Sequence, residues 1–172
     1  MTKRIAVQDR PSSRAAAAPS SRPPGLVQGC TNLKLRQLAR VVSRHYEAHV
    51  ARSGLKITQY SLLSAVVKLG PVGLTDLAAV LRLDGSTLSR NLQPLVDRGL
   101  VEVRAGEADA RSRIACATAA GQTLRADAQR DWKQAQLALN QRLGLERVAM
   151  LHSLLDEALA LLEPSTEGDD HD

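Results

Sequence analysis

Residues 74–92 read LTDLAAVLRLDGSTLSRNL. Leucines recur at helical spacing on both sides of Asp84-Gly85, which predicts two short helices joined by a tight turn. Thr75 and Ser86 are the expected N-caps, so the helices should cover about residues 76–81 and 87–98. In a helix-turn-helix of this kind, one helix braces the DNA backbone while the next lays polar side chains into the major groove. The stretch therefore indicates DNA binding.

A β-hairpin is predicted directly after the second of these helices. Gly99 should end the helix in the left-handed conformation. Residues 100–103 then have the pattern of a short strand, and residues 113–117 supply its partner. The polar loop between the strands contains Arg104 and Arg111. An arginine at a hairpin tip can reach a neighbouring minor groove, where its charge is favoured electrostatically.

The overall composition agrees with a nucleic-acid partner. The chain has 172 residues, 44% of them hydrophobic, and a formal net charge of +5. This length corresponds to roughly one domain, and a basic balance favours a polyanionic partner. Aromatic residues make up only 2% of the chain and Phe is absent. That scarcity argues against a platform that stacks single-stranded bases.

The two ends differ from the middle in composition. Residues 1–29 contain five Lys or Arg residues against one Asp, lack apolar periodicity and are predicted to form a disordered basic tail. Residues 163–172 contain five acidic residues and are predicted to form a disordered acidic tail. The central residues 30–162 then keep a net charge of about +6. The folded part itself is therefore basic, and the first tail could add loose phosphate contacts.

Apolar periodicity predicts four further helices. They should cover about residues 32–51, 59–69 with Thr58 as N-cap, 119–142 with Thr118 as N-cap, and 146–162. The last helix carries an apolar stripe that comprises Val148, Leu151, Leu155, Ala158, Leu159 and Leu162. A small winged domain cannot cover a stripe of this length, so burial against a second copy of the chain is expected. Packing within one chain is the alternative.

This order of elements resembles the MarR family of winged-helix transcriptional regulators, over residues 30–162. Three motifs carry the resemblance. The family's wing signature is similar to Asp109-x-Arg111 with Thr118-x-x-Gly121. Its recognition helix and exit turn are similar to Asp84-x-Ser86-Thr87-x-Ser89-Arg90 leading into Arg98-Gly99-Leu100-Val101, and the entry to its second helix is similar to Gly54-Leu55-Lys56-Ile57-Thr58-Gln59-Tyr60. Two positions depart from the pattern. Ala117 stands where the family usually has leucine, and Pro94 lies inside the recognition helix, where it removes a hydrogen bond.

The resemblance implies a mainly α fold with a small β-hairpin wing, that is, a winged helix-turn-helix domain plus a helical dimerisation region. It divides the chain into a first dimerisation helix (30–56), a DNA-binding domain (57–117) and the remaining dimerisation helices (118–162). It also implies a homodimer that offers one winged helix-turn-helix to each half-site of a palindromic operator in double-stranded DNA.

The candidate DNA-binding residues lie on the recognition helix and the wing. They are Ser86, Thr87, Ser89, Arg90, Asn91, Gln93, Arg104, Asp109, Arg111 and Arg113. Short hydroxyls suit phosphate or base-edge bonding, while Arg90 suits guanine and Asn91 or Gln93 suits adenine. Arg111 is the expected minor-groove residue with Asp109 as its brace, and Arg104 and Arg113 are candidates for phosphate. The alternative for any of these side chains is a solvated surface group.

Family members often bind small aromatic acids or phenols in a cleft between the dimerisation helices and the winged domain. The candidate ligand-binding residues here are His45, Tyr46, His49, Gln59, Tyr60 and Trp132. His45 and His49 share a helix face with apolar residues, so they should point partly inward, where polar groups need partners. A ligand carboxylate could be one partner. Bonds to the backbone or across the dimer are the alternative.

Two other kinds of sensing are weighed against the aromatic acid. His45 and His49 with Glu47 or Cys30 do not have the spacing of a metal site, so no metal and no cofactor are expected. Cys30 resembles the redox cysteine of the peroxide-sensing branch, where a helix N-terminus could favour thiolate, but it lies about two residues too early. Cys116, the other cysteine, is expected to be a small buried residue.

The sequence contains no nucleophile elbow, phosphate-binding glycine loop or apolar cleft with paired carboxylates, so an enzyme is not expected. It also lacks a signal core and a long apolar run, which predicts a cytoplasmic protein without membrane attachment. The function expected is a dimeric repressor that leaves its promoter when a small aromatic acid changes the distance between the two recognition helices. A non-specific architectural DNA-binding protein is the alternative, which salt-sensitive binding without sequence preference would favour.

Overall fold

The computed structural model describes residues 29–106 and 112–163. The helices are α1 (Thr31–Val50), α2 (Ile57–Leu69), α3 (Leu74–Leu81), α4 (Gly85–Asp97), α5 (Ala119–Leu143) and α6 (Leu145–Leu162), and the strands are β1 (Val72–Gly73), β2 (Val101–Ala105) and β3 (Arg113–Ala117). The predicted fold class, mainly α with a small hairpin wing, is confirmed. Both predicted tails lie outside the described residues, apart from Gly29 and Glu163. So do Asp109 and Arg111.

The three strands form an antiparallel sheet in the order β1-β3-β2. Ala115 of β3 pairs with Val103 on one side and with Val72 on the other. The hairpin of β2 and β3 was predicted from its alternating pattern, whereas β1 was not. A strand of two residues has no periodicity of its own, because its pairing is supplied by a segment about forty residues away.

The core lies where α2, α3 and α4 meet the sheet. Leu63, Val66, Leu77, Leu88 and Leu95 are almost completely buried there. Burial of a leucine or valine side chain contributes about 1.5–3 kcal/mol. This core therefore holds α3 and α4 at a fixed angle, with one face of α4 turned inward and the other to solvent.

Three helices begin two residues earlier than the sequence predicted. Helix α2 begins at Ile57 because the Glu47 carboxylate of α1 accepts from the Ile57 N–H at 2.7 Å, so Thr58 is inside the helix. Helix α3 begins at Leu74 with Gly73 as its N-cap, so Thr75 is not the cap. Helix α4 begins at Gly85, and its cap is Asp84 rather than Ser86.

The junction between α4 and α5 was predicted correctly. Gly99 has φ 66°, the left-handed conformation that favours glycine. Thr118 is the N-cap of α5 and accepts from the Gly121 N–H at 3.0 Å. A Cβ added to Gly121 would lie only 2.0 Å from the carbonyl oxygen of Leu100, so the start of α5 packs directly on the exit turn of α4.

Helix α6 contacts the rest of the chain along only one side. Val148 is its one buried residue, while Leu154, Leu161 and Leu162 are 61%, 77% and 82% exposed. Its end lies near α3, where Glu163 forms an ion pair with Arg82. Within the described residues, no helix has the length and apolar character needed to span a membrane.

Candidate nucleic-acid interface

The first turns of α4 present a row of exposed polar side chains. Ser86, Ser89, Arg90, Asn91 and Gln93 are exposed, and Thr87 is half-buried. The opposite face of the helix carries the buried Leu88, Leu92 and Leu95. Burial of the leucines fixes the rotation of α4, and so all six predicted side chains lie on or beside its solvent face.

Asp84 organises the start of this row. Its Oδ1 accepts from the Thr87 N–H at 2.7 Å and from the Ser86 Oγ at 2.5 Å, while its Oδ2 accepts from the Thr87 Oγ1 at 2.7 Å. Hydrogen bonds from the Ser86 and Thr87 side chains, with the Thr87 N–H, hold the pKa of the Asp84 carboxyl well below its usual range. The sequence led to Ser86 as the expected cap, although an aspartate just before a helix is a standard N-cap signal.

Three other polar side chains of α4 also have partners within the helix. Arg90 Nη2 donates to Thr87 Oγ1 at 3.2 Å, and Ser89 Oγ donates to the carbonyl oxygen of Gly85 at 2.8 Å. Gln93 Nε2 donates to Asp97 Oδ1 at 2.7 Å. These local bonds hold the row in place before any ligand arrives.

The wing lies beside α4. Arg104 and Arg113 are exposed near the tip of the hairpin, where the neighbouring Ala105 pairs with Arg113. Arg113, Ser89 and Gln93 line one groove of about 270 Å³ together with apolar side chains. The structure thus brings one predicted wing residue next to two residues of α4. The tip itself, with Asp109 and Arg111, is outside the described residues.

Five of the six candidate ligand-binding residues gather between α1, α2 and α5. The ring centroid of Trp132 lies 6.2 Å from that of Tyr46 and 6.3 Å from that of Tyr60. His45 packs edge-on against Tyr46 and lies 5.1 Å from His49, centroid to centroid. We call these five residues the aromatic cluster.

Three residues of the aromatic cluster make side-chain hydrogen bonds within the chain. His45 Nε2 lies 2.8 Å from the carbonyl oxygen of Ala135, and His49 Nδ1 lies 3.0 Å from that of His45. The Tyr46 hydroxyl donates to Gln136 Oε1 at 2.5 Å, and burial raises the pKa of Tyr46. Bonding to the backbone, the alternative considered from the sequence, is therefore present for both histidines.

Gln59 lies apart from the aromatic cluster. Its Oε1 accepts from the Lys56 N–H at 3.0 Å, at the start of α2, and its side chain lines a groove with Arg90 and Asn91. Gln136, in contrast, was missed as the partner of Tyr46. No sequence signal marks it, because the two residues lie 90 positions apart.

An apolar groove runs between α1, α5 and α6. It has a volume of about 330 Å³ and is lined mainly by leucines, including Leu35, Leu139, Leu151 and Leu155, with Tyr46 at one side. On α1, Leu33 and Val41 are also more than half exposed. The outer faces of α1 and α6 thus form a continuous apolar surface, which we call the apolar face.

Neither cysteine belongs to the aromatic cluster or lines the apolar groove. Cys30 is exposed at the N-cap of α1. Cys116 is half-buried on β3 and not fully buried as expected, because its neighbour Ala115 is the residue that faces the core. Across residues 29–106 and 112–163, no three His, Cys, Asp or Glu side chains come together as a metal site would require.

The fold and the exposed row of α4 define a winged helix-turn-helix protein. Residues 53–112 match the model of the MarR family. No curated protein matches the sequence significantly. The segment from α2 to β2 is therefore similar to MarR-family DNA-binding transcriptional regulators.

Solved structures of DNA-bound transcriptional regulators have the same fold. The MOSR transcriptional regulator of M. tuberculosis, solved with DNA, is 29% identical with a TM-score of 0.68, and the match covers 79% of this chain and 100% of that one. A cysteine-to-serine mutant of E. coli MarR with operator DNA is 21% identical, with a TM-score of 0.69 over 74% of this chain and 92% of that one. The transcriptional repressor CouR, bound to a DNA duplex, is 23% identical with a TM-score of 0.70, and the match covers 76% of this chain and 92% of that one.

Proposed function

We propose that this regulator is a homodimeric repressor that binds a palindromic operator through α4 and the wing, and that a small aromatic acid releases it. The observation that carries the proposal is the exposed polar row of α4 beside Arg113, fixed by the leucines behind it. Polar and basic side chains at this position suit the major groove and the flanking phosphates.

The apolar face supports the homodimer. Leu35 and Leu38 on α1 are 47% and 39% exposed, and Leu155 and Leu159 on α6 are 36% and 40% exposed. Exposed patches of this extent are rare on monomers and mark interaction surfaces. A second copy offers the same face, and a two-fold arrangement would bury both at once.

A dimer gives the palindrome its physical basis. Two copies of α4 related by a two-fold axis reach half-sites about one helical turn apart. The structures of MOSR, MarR and CouR were solved with DNA, and CouR is named a transcriptional repressor. Repression follows if the operator overlaps a promoter, because the bound dimer then blocks access to it.

The aromatic cluster supports an aromatic effector. Tyr46, Tyr60 and Trp132 are all of the chain's aromatic residues, and they lie together. Aromatic rings favour offset or edge contacts with another ring. The imidazoles of His45 and His49 beside them suit a carboxylate. A ligand entering here would press on α1 and α5 together, and so would change the spacing of the two α4 helices.

The proposal is tested first by fluorescence anisotropy on the upstream DNA of the gene, against a scrambled duplex. At about 150 mM salt, non-specific attachment is weak, and a specific regulator should prefer its operator by roughly a thousandfold or more. Comparable binding to both duplexes, and to a duplex pool that covers the genome, would contradict sequence-specific regulation.

The effector is tested in the same assay with benzoate and hydroxybenzoates. Addition should release the wild type from its operator, and Trp132→Ala should bind DNA normally but respond less. Cyclohexanecarboxylate, which has the charge without the aromatic ring, is the matched control. Release by hydrogen peroxide that is lost in Cys30→Ser, with no response to aromatic acids, would replace this effector with a redox signal.

A further inference from the structure

The hydroxyl groups at the start of α4 all use their protons inside the protein. Ser86 Oγ and Thr87 Oγ1 each donate to one oxygen of Asp84, at 2.5 and 2.7 Å. Ser89 Oγ donates to the carbonyl oxygen of Gly85 at 2.8 Å. A hydroxyl has one proton and two lone pairs. Each of these three oxygens therefore has only acceptor capacity left for a ligand.

The direction of these bonds follows from the acceptors. An ionised carboxylate and a backbone carbonyl have no proton to give, so the hydroxyl must be the donor. Hydrogen bonds from Ser86 and Thr87 keep the pKa of Asp84 low, so its carboxylate is ionised throughout the physiological range. The surroundings of the three hydroxyls thus leave each of them as an acceptor, and not a donor, for a ligand.

The guanidinium of Arg90 completes the pattern. Its Nη2 donates to Thr87 Oγ1 at 3.2 Å and takes one of the two lone pairs there. Ser86 and Ser89 are exposed. The first turns of α4 consequently offer acceptor oxygens to a ligand next to the donors of Arg90.

Hydrogen-bond acceptors and hydrogen-bond donors on a protein bind different groups of DNA. Phosphate oxygens only accept hydrogen bonds, and the donors at base edges in the major groove are the amino groups of cytosine and adenine. The charge of Asp84 also opposes the close approach of a phosphate. Acceptor oxygens at the start of α4 are therefore suited to base amino groups and unsuited to the backbone.

We propose that Asp84 is a positioning residue for base selection, which holds the protons of Ser86 and Thr87 so that hydroxyls of α4 accept from cytosine or adenine amino groups. This inference rests on the proposed sequence-specific binding and deepens it. The sequence alone allowed the hydroxyls to bind either phosphates or bases, and the hydrogen-bond pattern favours bases.

The test deletes single amino groups from the DNA. The probe is a duplex that the wild-type protein enriches from a randomised pool, with each adenine replaced in turn by purine and each cytosine by pyrimidin-2-one. In each half-site, at least one deletion should weaken wild-type binding roughly tenfold. That loss should disappear in Ser86→Ala or in Thr87→Val. Thr123→Val removes an exposed hydroxyl of α5, which donates to Ala119, and should keep the wild-type pattern.

Asp84→Asn tests the positioning role itself. The asparagine oxygen can still cap α4, but its amide donates and returns a hydroxyl proton to the surface. The amino-group preference should shrink, and guanine or thymine should become tolerated at the same position. Thermal unfolding checks that each variant is folded, and Ser86→Ala leaves the capping bond between the Asp84 carboxylate and the Thr87 N–H in place.

The outcomes separate the two proposals. If amino-group deletions have the same effect in the wild type and in all three α4 variants, the inference is overturned while sequence-specific binding stands. If the wild type enriches no sequence from the pool, the proposed function fails and the inference fails with it.

Discussion

The Oγ1 of Thr118 donates to the carbonyl oxygen of Gly99 at 2.7 Å. The Thr118 N–H also donates to the Leu100 carbonyl oxygen at 3.1 Å. Thr118 therefore caps α5 and bonds it to Gly99, in the turn that follows α4. The helix that carries the candidate DNA-binding row and α5, the longest helix among the described residues, are therefore joined at this contact.

The joint predicts that Gly121→Ala is strongly destabilising. The added Cβ would lie 2.0 Å from the backbone oxygen of Leu100, which cannot move without disturbing the exit turn. We expect a loss of about 2 kcal/mol or more in the free energy of unfolding, measured by urea denaturation. Gly85→Ala is the control, since nothing lies within 4 Å of the new Cβ. Equal effects of the two substitutions would contradict the close contact.

The proposed homodimer predicts that a charge placed in the groove of the apolar face separates the two copies. Leu155→Lys introduces an ammonium group among the leucines of α1, α5 and α6, and burying an unpaired charge in an interface is costly. Sedimentation equilibrium should show a monomer that binds operator DNA much more weakly. Val80→Lys is the control, because Val80 is 55% exposed on α3, outside this face. A Leu155→Lys variant that stays dimeric would place the interface elsewhere.

Arg90 and Arg111 are expected to have different roles on DNA. Arg90→Ala should relax base preference at one position of each half-site, at a cost of about 1–3 kcal/mol for the preferred base. Arg111→Ala should weaken binding to most sequences alike. Anisotropy on a set of singly substituted operators separates the two effects, and an equal loss of specificity in both variants would contradict this division.

Asp84 predicts a contribution to stability that depends on pH. Its pKa is lowered in the folded state, so the ionised form is stabilised by folding, and the contribution is present above the ordinary Asp value near 3.9. It is lost as the pH falls from that value through the lower pKa of the folded state. The difference in melting temperature between the wild type and Asp84→Ala should therefore be constant near neutrality and shrink below about pH 4. A difference in melting temperature that grows below about pH 4 would contradict this pH dependence.

The existence of the helices could be predicted from the sequence, because the spacing of the apolar residues shows which face of each helix is buried. Gly99 and the Thr118 cap were also predictable, since each depends on neighbouring residues only. The start of α2 was not, because Glu47 on another helix accepts its first N–H. Strand β1 was missed for the same reason, as its partner lies far along the chain.

The candidate site shows the same division. The exposed residues of α4 could be named from the helical pattern. Whether their hydroxyls donate or accept toward a ligand could not be predicted, because it depends on which oxygen the Ser86 and Thr87 hydroxyls face. Gln59 was grouped with the aromatic residues by type, whereas its side chain caps the start of α2.

The joint at Gly121 also has a mechanical consequence. Helix α5 has 25 residues and is therefore about 37 Å long. If its far end is held, a tilt of about 5° displaces the end joined to α4 by about 3 Å, as simple geometry requires for a rod of that length. Trp132 lies near the middle of α5. A displacement of about 1.5 Å at Trp132 would thus accompany a movement of about 3 Å at the end joined to α4, the length of a hydrogen bond.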